Sequence, residues 1–143
     1  MRPLSLLTLI GGAVLSLPTI FWAMGIDPSL IAVLHAAAAV LCARLLYVVA
    51  RHPGSSWGDA AWVGGYAGII GATMTQLLLH MGWAAPLNVA FGNYGALGAA
   101  MFRLDMLSAW WPYVMILWGG AVYGLLGVGL AAWARSRRGT LAA

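Results

Sequence analysis

Lysine and glutamate are missing from this chain altogether, and only three aspartates stand against seven arginines. Charged residues make up 7% and hydrophobic ones 63%, far below the roughly one-quarter charged content of a water-exposed domain. A soluble fold has too little here to cover its surface, so lipid is the expected solvent. One cysteine, Cys42, rules out an internal disulfide, and no CxxC or zinc spacing accompanies it. HExxH, GxSxG with triad partners and phosphate-cradling glycine loops are all lacking. An autonomous enzyme site is therefore not expected. No aspartate falls inside an apolar segment, which argues against ion- or proton-coupled carriers, rotary-ring subunits and paired-carboxylate hydrolysis. Nor does the basic excess point to nucleic acid, because the arginines gather at segment ends as topology signals.

What is present is length of apolar chain. Four segments, residues 4–24, 28–50, 60–83 and 112–134, each reach the ~20 residues that a bilayer core needs. Pro18 should bend the first, and Asp27 followed by Pro28 starts the second by capping free amides ahead of a first-turn proline. Asp59 is placed to cap the third, Pro86 to stop it, and Pro112 to open the fourth. Arg2 before an apolar run resembles a signal peptide, but no small-x-small cleavage site follows, so the run reads as a retained span. The expected fold is an all-α integral membrane protein: one domain, 1–143, built as a four-transmembrane-helix bundle.

Residues 84–111 then form an outer loop, apolar yet broken by Pro86, Asn88, Asn93 and glycines. Within it, 96–111 has the pattern of an interfacial or re-entrant helix. A fifth span there would throw Arg135, Arg137 and Arg138 to the side opposite Arg2 and Arg51. The positive-inside bias selects four spans with both termini cytoplasmic. Trp22, Trp83, Trp110 and Trp111 would mark the outer boundary, and Trp57, Trp62 and Trp133 the inner one. The lysine-free, Ala-, Gly- and Arg-rich composition fits a bacterial inner membrane.

Chemistry concentrates in the third span. Gly64, Gly68, Ala72, Gln76 and His80 recur every fourth residue and so stack as one helical ridge. Small residues at that spacing admit a neighbouring helix or a flat ligand. His80 and, on the second span, His35 are intramembrane imidazoles, costly without partners. Both fall in the outer half of antiparallel neighbours. Two such histidines at one height are what an axially ligated haem b needs, with Gly68 and Ala72 as walls, Gln76 beside them and Arg103 toward a propionate. One histidine alone would suit the magnesium of a (bacterio)chlorophyll or a quinone oxygen. The plain alternative is an imidazole satisfied by Thr73, Thr75 or Gln76. Gly120 and Gly124 on the fourth span form a further close-packing face, expected with Gly64 and Gly68 to meet other membrane subunits or a second copy. Arg44 either snorkels to headgroups or pairs with an anionic lipid or a partner's carboxylate.

Three functions follow. The first is a non-catalytic anchor or accessory subunit of a respiratory or photosynthetic electron-transfer complex, holding haem between spans two and three. In architecture, not in motif, this is similar to the haem-anchor subunits of respiratory dehydrogenases. The second is a scaffold or assembly subunit without cofactor. The third is a small oligomeric channel or permease lined by Arg44, Gln76 and Asn88.

Overall fold

The structure, a computed structural model, describes residues 3–24, 26–80 and 110–139. Four α-helices account for almost all of them: α1 (Pro3–Ala23), α2 (Pro28–Arg51), α3 (Trp57–His80) and α4 (Trp111–Gly139). No strand occurs among the described residues. Three of the helices, α1, α2 and α4, are long and apolar enough to cross a membrane. The fourth expected span, α3, matches α2 in length at 24 residues, but glycines, threonines and Gln76 dilute its hydropathy. The outer loop with its interfacial or re-entrant helix, and with it Arg103, lies outside the described residues, apart from Trp110 and Trp111.

The dilution of α3 has a structural reason: it is the central helix. On one side it meets α4 backbone to backbone. A Cβ added at Gly64 would run into the carbonyl of Tyr123, and one at Gly68 into the carbonyl of Gly119. Gly120 and Gly124 face Ile69 and Gly65 from the α4 side, and Gly127 lies on the carbonyl of Ala60. On its other side α3 lies along α1, where a Cβ at Gly71 would stand 2.7 Å from that of Leu15 and one at Gly11 would stand 2.9 Å from that of Ala67. Lipid gives helices no hydrophobic incentive to associate, so close van der Waals approach must supply it. Glycine on both flanks of α3 makes that approach possible. The two glycine faces expected to bind other chains thus meet within this one, Gly64 and Gly68 being spent on α4.

Helix ends follow local chemistry. α2 begins at Pro28 directly after Asp27, whose carbonyl accepts the Leu30 amide at 3.0 Å. At α3 the capping residue is Ser56. Its Oγ accepts the Asp59 amide at 3.1 Å while the Asp59 carboxylate accepts the Ser56 amide at 2.7 Å, the reciprocal arrangement of a capping box. Asp59 is therefore the third helical residue and the returning arm of the box. α4 continues past Ala134 to Gly139, which puts Arg135 and Arg137 on a helix instead of in a tail. The Arg135 guanidinium donates to the Ser55 carbonyl at 3.2 Å and lies 5.1 Å from the Trp57 ring centre. Arg137 lies 4.6 Å over Trp133, and Arg51 5.7 Å from Tyr47. The end of α2, the start of α3 and the end of α4 are thereby gathered at one end of the bundle.

Candidate functional site

Between the helices runs a cleft of about 440 Å3, set mainly between α2 and α3. On α2 it is walled by His35 among the alanines 32, 36, 38 and 39, and on α3 by Gly68, Gly71, Ala72 and Thr75. Leu15 of α1 and Tyr123 of α4 close it. The reason for the gap is steric. α3 is drawn against α1 and α4 by its glycines, and the alanines of α2 are too short to fill what remains. Its volume falls within the ~300–1,000 Å3 of small-molecule sites.

His35 is positioned by its own helix. Its Nδ1 lies 2.9 Å from the Ile31 carbonyl, one turn back. A carbonyl can only accept, so Nδ1 carries the proton and donates it. The neutral ring then keeps its lone pair on Nε2, the atom that ligates metals when the other nitrogen is tied to a carbonyl. A Lewis base with a fixed tautomer therefore sits on a wall of glycine and alanine.

A polar layer surrounds it. Thr19 of α1, 1% exposed, and Thr75 of α3 share a hydrogen bond at 3.0 Å, and the Thr75 hydroxyl donates to the Gly71 carbonyl at 3.3 Å. Since a hydroxyl has one proton, Thr19 is the donor in the pair, which gives a chain from α1 to the α3 backbone. Thr75 and His35 line the cleft together. Next in sequence to Thr75 is the first of two orphans: Gln76 Oε1 and Trp111 Nε1 are buried with no partner among the described residues. The antiparallel register of α3 and α4, set by Gly64 against Tyr123 and Gly68 against Gly119, continues to place Gln76 opposite Trp111. An acceptor and a donor are thus buried at one level of the bundle, where an unmade hydrogen bond costs most.

Of the residues singled out in the sequence, His35, Gly68 and Ala72 are brought together on the cleft. Gln76 is buried beside it on the next turn, at 5% exposure. His80 is the last residue of α3; its side chain lies outside the described residues, as does Arg103. The sequence reading set the two imidazoles at one height, a pairing that falls outside the described residues. Thr19 and Tyr123 were missed; Thr19 is one of several hydroxyls on its span, with Thr8 and Ser16. Among the described residues no group of three or more His, Cys, Asp or Glu side chains could hold a metal ion. No family model, no curated protein and no solved structure matches this chain.

Proposed function

We propose that this protein is a non-catalytic membrane subunit of an electron-transfer complex, and that the α2–α3 cleft holds a planar redox cofactor, haem b or a related tetrapyrrole, through His35. The carrying observation is the imidazole itself: Nδ1–H is committed to Ile31, and the ring borders a cleft walled by Gly68, Gly71 and Ala72. His35 would hold the group as its imidazole base, with Ala72 and Thr75 beside it. His80, the last residue of α3, would be the second base. Bound there, the group would supply one-electron exchange with a partner's centre or with quinone, while the helices fix its distance and exclude water.

We place α3 as the fourth span, with both chain ends on the cytoplasmic side of a bacterial inner membrane. The supporting feature is the gathering of Arg51, Arg135 and Arg137 at one end of the bundle. With the glycine faces consumed internally, membrane partners would dock on the outward side of α4, where Tyr113, Leu117, Trp118 and Leu125 are exposed.

A reduced-minus-oxidised spectrum of the purified protein in detergent tests the reading. A b-type band is expected, and His35→Ala should abolish it with the helical content unchanged. No band in the intact protein, or a band indifferent to His35→Ala, would sink it. A cofactor-free scaffold is the second reading, favoured by the tight α3–α4 seam. It expects His35→Ala to leave assembly and activity intact while a bulky residue at Gly68 or Gly124 breaks the complex.

A further inference from the structure

On the outer surface of α2, away from the cleft, a second hollow of about 400 Å3 is lined by Arg44, Tyr47, Val48, Arg51 and His52. These positions follow the i, i+3, i+4, i+7, i+8 rhythm of a single helical stripe. The stripe is cationic at both ends and apolar between. Arg44 is the anomaly. It lies seven residues inside Arg51, ~10 Å along the helix, within the apolar stretch Leu30–Arg51. It is exposed, and so are Val40, Leu41 and Val48 around it, at 57–67%. That face belongs to acyl chains.

A guanidinium at such a depth is costly without a counter-charge. The protein does not provide one among the described residues. The described carboxylates are Asp27, at the far end of α2, and Asp59, which accepts the Ser56 amide and faces the adjoining groove with His52. The other arginines at this end have neighbours in the fold: Arg135 holds the Ser55 carbonyl and Trp57, Arg137 covers Trp133, and Arg51 leans on Tyr47. Tyr47 itself is braced against Trp133 at 5.1 Å, which fixes the side of the hollow.

We propose that this stripe is a binding site for the phosphodiester headgroup of an anionic phospholipid. The phosphate would sit between Arg44 and Arg51, and the acyl chains would run along Val40, Leu41 and Val48. Arginine suits the role because its planar fork engages two phosphate oxygens at once. The geometry distinguishes a lipid from a soluble anion: the deeper arginine is reached from the hydrocarbon side, where only an amphiphile brings its charge. It also separates the site from general attraction to a negative surface, since Arg44 lies below the headgroup level that Arg135 and Arg137 occupy.

Native mass spectrometry of the whole protein in a neutral detergent reads this directly, titrating dioleoyl phosphatidylglycerol against dioleoyl phosphatidylcholine. The intact protein should retain phosphatidylglycerol preferentially, by roughly thirtyfold if each of the two arginines contributes the ~1 kcal/mol usual for a basic residue near an anionic surface. Arg44→Gln should cut the preference about fivefold, Arg44→Lys should keep more of it, and Arg135→Gln, which removes the same charge elsewhere, should leave it intact. Equal retention of the two lipids would overturn the proposal. So would equal losses in Arg44→Gln and Arg135→Gln, or displacement of phosphatidylglycerol by millimolar inorganic phosphate, which would mark a soluble-anion site. A second protein chain retained stoichiometrically and lost in Arg44→Gln would assign the stripe to a partner's carboxylate instead. Should Arg44→Gln fail to fold, the Lys variant and the phosphate competition still decide the matter.

Discussion

Gly68 and Gly129 are the same residue type in equally helical chain, yet one is indispensable and the other is spare. A side chain at Gly68 would strike the Gly119 carbonyl, which is backbone and cannot turn aside; one at Gly129 would meet nothing within 4 Å. Gly68→Val should therefore lower stability by about 1–3 kcal/mol, the usual cost of overpacking. Gly129→Ala should be neutral or stabilising by up to about 1 kcal/mol, since alanine loses less backbone freedom in a helix. Thermal unfolding in detergent, followed by circular dichroism, separates the two; equal effects would mean the α3–α4 seam is not as tight as drawn. The Thr19–Thr75 pair makes a subtler case. Thr75→Val keeps the shape but leaves the buried Thr19 hydroxyl without its acceptor, at a cost of about 1–3 kcal/mol. Thr75→Ser should restore most of it. If valine is tolerated as well as serine, the hydroxyl chain carries no stability.

The start of α3 offers a cleaner test of how an element is made. Ser56 and Asp59 each satisfy the other's backbone amide, so either Ser56→Ala or Asp59→Ala should cost about 1 kcal/mol. The double variant should cost less than the sum, because the two bonds brace one turn. Strict additivity in urea or thermal unfolding would count against a reciprocal box. Elements of this kind were legible in the sequence. Asp27-Pro28 announced α2, and Asp59 and Trp111-Pro112 announced the starts of α3 and α4 to within a few residues, because caps and prolines act locally. The ridge from Gly64 was legible too, but not what it faces. A glycine stripe shows only that something comes close. That α4 fills Gly64 and Gly68 while α1 meets Gly71, leaving the cleft to His35 and Ala72, depends on which helices flank α3. Thr19 was hidden because a buried threonine and a lipid-facing one look alike in a single sequence.

At the scale of the molecule the open matter is how many times the chain crosses, and one contact bears on it. The Arg135 side chain and the Ser55 carbonyl are 3.2 Å apart, so they occupy the same side of any membrane that the bundle spans. Between them lie α3, the connection that follows it and α4. An odd number of crossings in that interval would put them on opposite faces and break the contact. If α4, apolar enough to span, crosses once, then the chain ahead of it must supply one more crossing, and α3, packed along α4, is where we propose it, despite the glycines and polar residues that make it the least lipid-like of the four. That is physically reasonable for a helix sheathed by its neighbours, which needs to suit α1 and α4 more than it needs to suit lipid. Single-cysteine variants test it. In a Cys42→Ala background, Ser55→Cys and Ser136→Cys should react with a membrane-impermeant maleimide from the same side, the cytoplasmic one, in inside-out vesicles and not in intact cells. Cys42 itself, 1% exposed within the core, should stay unlabelled in the native protein from either side. Labelling of the two serine positions from opposite faces would leave α3 lying along the surface and would dissolve the α3–α4 seam on which the cleft depends.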